Sequence, residues 1–230
     1  MIALMQPYFF PKLSYWQLIH KVDTFVINDD VQYIKGGWIN KNRIIFKNSI
    51  KTISIPIKKD KFQKNINERY LATNWAQHKR KILSAIREYY RKSVNFIVIY
   101  PIIEKILNFN SMNLSNFVTN SIKEIVNYLE INTKIINSSS LNIGSEFKKD
   151  KKIKEICKIL NSKIYINAIG GKKIYDKDDF KNSNIELNFL YPTNLLDNKN
   201  SASFDLSIID TLMNIEKKLI QKELNEFKLI

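Results

Sequence analysis

The chain has 230 residues, 44% of them hydrophobic, and 37 Lys and Arg against 22 Asp and Glu, for a net charge of +15. That length and apolar content allow one large domain with its own core, and 5 Gly and 5 Pro leave no flexible linker. One cysteine, Cys157, excludes an internal disulfide framework, and no apolar run approaches the roughly 18 residues of a membrane span. The opening Met1-Ile2-Ala3-Leu4-Met5 is too short and lacks the basic flank of a secretory signal, so a cytoplasmic location is expected. The positive charge is Lys-rich and accompanied by abundant Ile and Asn, the trio an AT-rich genome encodes. It is spread in small groups such as Lys148-Lys149-Asp150-Lys151-Lys152, a poor footprint for nucleic acid and a better one for an anionic small molecule.

In chain order, Ile2–Met5 reads as a buried parallel strand, Leu13–His20 as a helix and Thr24–Asn28 as a second strand. Arg43–Phe46 and Lys51–Ile57 form a hairpin about Lys47-Asn48-Ser49, with Ile53, Ile55 and Ile57 on one face. Residues 74–130 are helical, with one stripe of Trp75, Ile82, Ala85-Ile86 and Tyr89 and another of Leu114, Phe117-Val118, Ile122, Ile125-Val126 and Leu129. Pro101 fits the first turn of a helix through Leu107. Strand and helix then alternate: Thr133–Ile136, Lys149–Leu160, Lys163–Ile166, Tyr175–Asn182 and Ile185–Leu190. An amphipathic helix over Ser207–Leu224, within a closing segment of about 205–228, ends the chain. The whole predicts one α/β domain over 1–230: a mostly parallel sheet with flanking helices, a helical insertion at about 74–130 and a closing C-terminal helix.

Four groups of residues carry chemistry. Pro7 and Pro11 stiffen an exposed aromatic turn after the first strand, from which Gln6, Tyr8 and Tyr15 project polar groups into a crevice, or the turn is a hydrophobic loop that merely packs. The helix near Leu13 aims its N-terminus at the same space, favouring a phosphate or carboxylate. Asp29 and Asp30 end the second strand and face opposite ways, so one can enter the crevice to hold an amine, a ribose hydroxyl or Mg²⁺, or to act as general base. The bland alternative is a solvated turn. Residues 33–43 combine a tight Gly36-Gly37 turn with Lys35, Asn40 and Arg43 as phosphate ligands and Trp38 as a stacking face, or form a plain basic loop. Gly170-Gly171 with Lys172, after the strand at 163–166, offers backbone N–H groups to an anion, or is a plain turn. His78 sits beside the Trp75 stripe, as a candidate acid or base or as a structural helical His. Only His20 and His78 exist and neither has a partner at ligand spacing, so no metal motif is present.

The segments Met5–Pro11, Tyr15 with Gln17-Leu18-Ile19, Asp29-Asp30-Val31-Gln32-Tyr33-Ile34-Lys35 and Trp38-Ile39-Asn40-Lys41-Asn42-Arg43 together resemble the WbqC-like family. The resemblance continues through Ile166-Asn167, Gly170-Gly171, Tyr175-Asp176 and Leu206–Asp210, nearly the whole chain. Ser14 departs from the pattern, since the family commonly has Gly before that tyrosine. The resemblance implies bacterial surface-polysaccharide biosynthesis (lipopolysaccharide O-antigen) and a nucleotide-linked sugar, and it adds Gln32, Asn167 and Tyr175 to the substrate-binding candidates. The opening strand–turn–helix–strand is also similar to the Rossmann-like nucleotidylyltransferase architecture. The two histidines of that superfamily's His-x-Gly-His are absent where this chain has Lys12-Leu13-Ser14-Tyr15.

These readings lead to an expected transferase that moves an acyl or aminoacyl group from an activated donor to the amine of an amino-sugar nucleotide. The basic crevice would hold the diphosphate and Asp29 or Asp30 would take the proton. Nucleotidylyl or phosphate-group transfer without histidines, and a non-catalytic binding module of a glycan-assembly complex, are the alternatives. A homo-oligomer is compatible with either.

Overall fold

The computed structural model describes residues 1–46, 49–144, 146–193 and 206–230. Strand β1 (Ile2–Met5) leads to helix α1 (Leu13–Lys21) and strand β2 (Thr24–Ile27). A separate antiparallel pair follows, β3 (Lys41–Phe46) and β4 (Ser49–Ser54). The insertion comprises α2 (Trp75–Tyr90), α3 (Phe96–Leu107) and α4 (Leu114–Leu129). The chain then runs β5 (Lys134–Asn137), α5 (Lys149–Ile159), β6 (Ile164–Ala168), α6 (Lys177–Lys181) and β7 (Glu186–Pro192). Helices α7 (Ile208–Asn214) and α8 (Lys217–Glu223) precede strand β8 (Phe227–Leu229).

Six strands form one sheet in the order β5-β2-β1-β6-β7-β8, with the first five parallel and β8 antiparallel to β7. Ile2 pairs with Thr24 on one side and Tyr165 on the other. The buried strands are continuous apolar runs because both faces are covered. Ala3, Phe25, Ile27 and Ile166 point into a core built with α1, the insertion, α7 and α8. Ile2, Leu4, Val26 and Tyr165 point into a second core built with α5 and α6. This is the doubly wound α/β arrangement that the strand–helix alternation predicts. Cys157 lies in the second core, where burial pushes its thiol up to about 12, and it fills space as expected.

Several expectations need correction. Pro101 stands in the middle of α3 rather than its first turn. The hydrogen bond it forfeits is to the carbonyl of Ile97, a residue 86% exposed, where water replaces it at small cost. The C-terminal amphipathic pattern is two helices, not one. Asn95 Nδ2 donates to the carbonyls of Leu212 (3.0 Å) and Ile215 (2.7 Å), and Ile215 takes extended backbone angles between α7 and α8. Asp205 of the predicted closing segment and the predicted turn residues Lys47 and Asn48 lie outside the described residues. The three-residue β8 has no sequence signal of its own and exists because the sheet edge at β7 recruits it. In α2 the buried stripe ends on Tyr90, while Tyr89 stacks on Phe46 with ring centroids 3.8 Å apart. Helix α6 starts at Lys177, two residues after the predicted Tyr175, because Asp176 accepts from the N–H groups of Asp178 and Asp179 and caps it.

Candidate functional site

The strand order reverses at β1: β2 and β5 lie to one side, β6 and β7 to the other. The crevice beyond the carboxyl ends of strands at such a switch point is where open α/β sheets bind ligands. A cavity of about 130 Å³ lies there, between the end of β1 (Met5) and the end of β6 (Ala168). It has room for about four waters at roughly 30 Å³ each, or one ring. Tyr8, Pro11, Tyr15 and Trp38 line it, together with Lys12, Ser14, Leu18 and Asn42.

The wall is the 6–12 loop, and it is pinned from three directions. Phe9 and Phe10 are fully buried, so the turn is not the exposed aromatic surface that its composition predicts; the rings pack inward and only Tyr8 stays half-buried. Phe10 holds a left-handed φ of 46°, costly for a residue with a Cβ. Its carbonyl accepts from Asn42 Nδ2 (2.7 Å) and Ser207 Oγ (3.0 Å), while Asn42 Nδ2 also reaches the Phe9 carbonyl (2.9 Å) and Trp16 Nε1 the Pro11 carbonyl (2.9 Å). Tyr15 donates its hydroxyl to the Gln6 carbonyl at 2.9 Å, and its ring lies 5.7 Å from that of Tyr8. Burial raises both phenols, so they stay protonated donors well past neutral pH. The Arg43 guanidinium sits 4.9 Å from the Trp38 ring centroid, a cation–π contact that holds the indole. The N-cap residue Lys12 makes no side-chain cap hydrogen bond to α1, and Lys12 and Ser14 line the cavity.

The paired aspartates stand at the same edge, beyond β2, and diverge as adjacent residues on an extended chain must. Asp29 is buried on the α4 side. It accepts from Ser115 Oγ (2.9 Å), Asn137 Nδ2 (2.7 Å), Ser139 Oγ (2.9 Å) and the Ser139 N–H (3.1 Å). Both of its oxygens are occupied, so it ties β2 to β5 and α4. Asp30 turns to the α5 side, where one oxygen accepts from Lys152 Nζ at 2.5 Å and from Ser138 Oγ. Lys152 also donates to Asn28 Oδ1 at 2.8 Å and is almost wholly buried. The Asp30 side chain keeps 23% of its exposure.

The other predicted site residues fall into two groups. Asn167 is buried at the end of β6 with its Oδ1 on the Ala168 N–H (2.8 Å), and Gly171 packs against it so closely that a Cβ would meet Asn167 Cγ at 2.9 Å and Tyr175 at 3.3 Å. Tyr175 contacts Phe180 on the α5–α6 side. Gly170 and Lys172 are exposed in the short turn of 3-10 helix at Ile169–Lys173, and neither glycine takes a positive φ. Asn40 is spent on structure, accepting from Tyr33 Oη and donating to the Ile55 carbonyl, both at 2.8 Å. Gln32 and Lys35 lie exposed on the loop after Asp30. The Gly36-Gly37 turn closes on the Ile34 carbonyl without positive φ. His78 is half-buried on α2, which packs on α3, and does not line the cavity. Sequence reasoning passed over Asn42, Ser207 and Lys152. Asn42 lies on β3 just after the 33–40 loop; Ser207 and Lys152 act across more than a hundred residues and carry no local signal.

An aromatic-walled cavity at the switch point of a doubly wound sheet places the chain among the open α/β proteins. The WbqC-like protein family matches residues 6–222, and the chain belongs to it. The chain is 28% identical over 221 residues, 93% of each chain, to a protein of Mycobacterium tuberculosis (strain ATCC 25618 / H37Rv) that carries the name "Uncharacterized protein Rv1507c". No solved structure matches significantly. Among the described residues, no group of His, Cys, Asp or Glu is placed to hold a metal ion, and no helix is long and apolar enough to cross a membrane.

Proposed function

We propose that the protein binds a nucleotide-linked amino sugar at the carboxyl edge of β1 and transfers an acyl or aminoacyl group to the sugar amine, in the biosynthesis of a surface polysaccharide. The observation that carries the reading is the pairing of stations at that edge: an aromatic cavity on the α1 side and the Asp30–Lys152 pair on the α5 side. A single small ring fills one station; a nucleotide joined to a sugar through a diphosphate is long enough to use both. The base stacks on Trp38 and Tyr8, and the diphosphate crosses the β1–β6 crevice beside Lys12 and the first turn of α1, where positive charge and the positive end of the helix dipole favour it. The sugar amine forms its bond to the carbonyl carbon of an activated acyl donor as the donor's leaving group departs with the electron pair of the broken acyl bond; Asp30 receives the amine proton while Lys152 holds the carboxylate in place, and Asp29 serves as scaffold. The family's association with polysaccharide synthesis supplies the context.

Mass spectrometry of amino-sugar nucleotides incubated with activated acyl donors tests it. The expected result is a mass increase equal to the acyl group less the hydrogen it replaces, formed at least about a hundredfold more slowly by Asp30→Asn, in line with loss of a general base. No mass shift across the panel would leave a binding protein without transfer activity.

A further inference from the structure

The insertion presents a second feature that the cavity does not use. Val94, Ile97 and Val98 are 82%, 86% and 55% exposed, and exposed Pro101 continues the row along α3. Single exposed apolar residues are ordinary, but Val94 in the turn before α3 and Ile97, Val98 and Pro101 on the α3 face opposite buried Ile99, Ile103 and Ile106 fall at the spacing that sets them in one exposed apolar ridge. The ridge is rigidly mounted: Asn95 gives its N–H to the Met213 carbonyl (3.1 Å) and its side chain to two further carbonyls of the α7 end. Its base is cationic. Between Arg87 and Val98 stand Arg87, Arg91 and Lys92 against Glu88, three positive charges less one negative, within a chain of net charge +15.

We propose that this ridge docks the protein on the surface of an anionic lipid bilayer, with Val94, Ile97 and Val98 entering the headgroup–acyl boundary and Arg91 and Lys92 against lipid phosphates. Protruding aliphatic side chains above a cationic base are the two elements that bind such an interface together. At 12 residues and about 1.5 Å per residue, α3 is far shorter than the roughly 30 Å hydrocarbon core, so it lies on the membrane. A second copy of the chain is a poorer occupant, because its own cationic base would be brought against this one.

Flotation of the full chain with phosphatidylcholine vesicles, with and without phosphatidylglycerol, tests the proposal. The native protein is expected to float with phosphatidylglycerol vesicles and to be released by salt. The double variant Val94→Ser/Ile97→Ser, which alters only exposed side chains, should lower the partition coefficient on the order of tenfold with unchanged circular dichroism. Arg91→Glu/Lys92→Glu should abolish the preference for anionic vesicles. Native protein that fails to float, or variants that float as the native does, would overturn it. So would a native dimer in sedimentation that becomes monomeric in Val94→Ser/Ile97→Ser while vesicle binding is unchanged.

Discussion

The aromatic cavity and the carboxylate corner share one edge of the sheet and are made in opposite ways. Apart from Ala168, the cavity's lining comes from residues 5–42, so local sequence sets its shape. The corner takes two adjacent residues, Asp29 and Asp30, and completes them with Ser115, Asn137, Ser138, Ser139 and Lys152 from distant elements. The comparison teaches that chemistry cannot be assigned to a carboxylate by its position in a motif. Asp29, the more buried acid, is consumed by donors from four residues, Ser115, Asn137, Ser138 and Ser139, and Asp30, the more exposed, retains an oxygen with no partner among the described residues.

The sharpest way to break this contrast is Asp29→Ala. It leaves the buried Ser115 hydroxyl and the half-buried Asn137 amide without their acceptor, while exposed Ser139 can turn to water, and a loss of about 2–3 kcal/mol in urea unfolding is expected. A loss below about 1 kcal/mol would show that the Asp29 network is dispensable. Asn42→Ala should cost about 2 kcal/mol, because the Phe9 carbonyl loses its side-chain donor, the Phe10 carbonyl loses one of its donors while keeping Ser207, and the strained Phe10 backbone loses a restraint. A denaturation midpoint equal to the native one would refute the pinned wall. Next comes the glycine pair. Gly171→Ala should destabilise by about 1–2 kcal/mol by displacing Asn167 or Tyr175, while Gly170→Ala, which meets open space, should stay within about 0.5 kcal/mol of native in the same assay.

The smallest effect is expected away from the edge, at Asp210, which packs beside Tyr90 (3.1 Å). Burial raises its folded-state pKa, so the fold favours the protonated acid. Its favourable contribution is full below the unfolded-state pKa and lost as pH rises through the folded one; at neutral pH the ionised group is a net cost. Asp210→Asn should therefore be slightly more stable than native at pH 7, with the gap closing as pH falls toward the ordinary carboxylate range. A gap that widens on acidification would reverse the assignment.

The sequence carries the strands well where burial on both faces makes them continuous apolar runs: Ile2–Met5 matches β1 at both ends, and β2 ends one residue short of the expected Asn28. Tyr8, Pro11 and Tyr15 likewise read as one cluster, because a proline-stiffened loop keeps near neighbours together, and Trp38 joins them in the cavity from the separate group at 33–43. What was illegible depends on contact between distant segments. The break between α7 and α8 answers to Asn95, the Asp30 partner to Lys152 on α5, and the conformation of Phe10 to Ser207. The Gly170-Gly171 pair read as an anion-binding bend, yet only Gly171 is required, and for close packing rather than for φ.

Calorimetric titration of one nucleotide and of its amino-sugar conjugate, each against the native protein, Trp38→Ala and Asp30→Asn, tests most directly whether a single ligand spans both stations. Trp38→Ala should weaken both ligands at least about tenfold through lost stacking. Asp30→Asn should weaken the conjugate alone. Equal binding of both ligands by all three proteins would contradict the assignment of the β1 edge as the binding site.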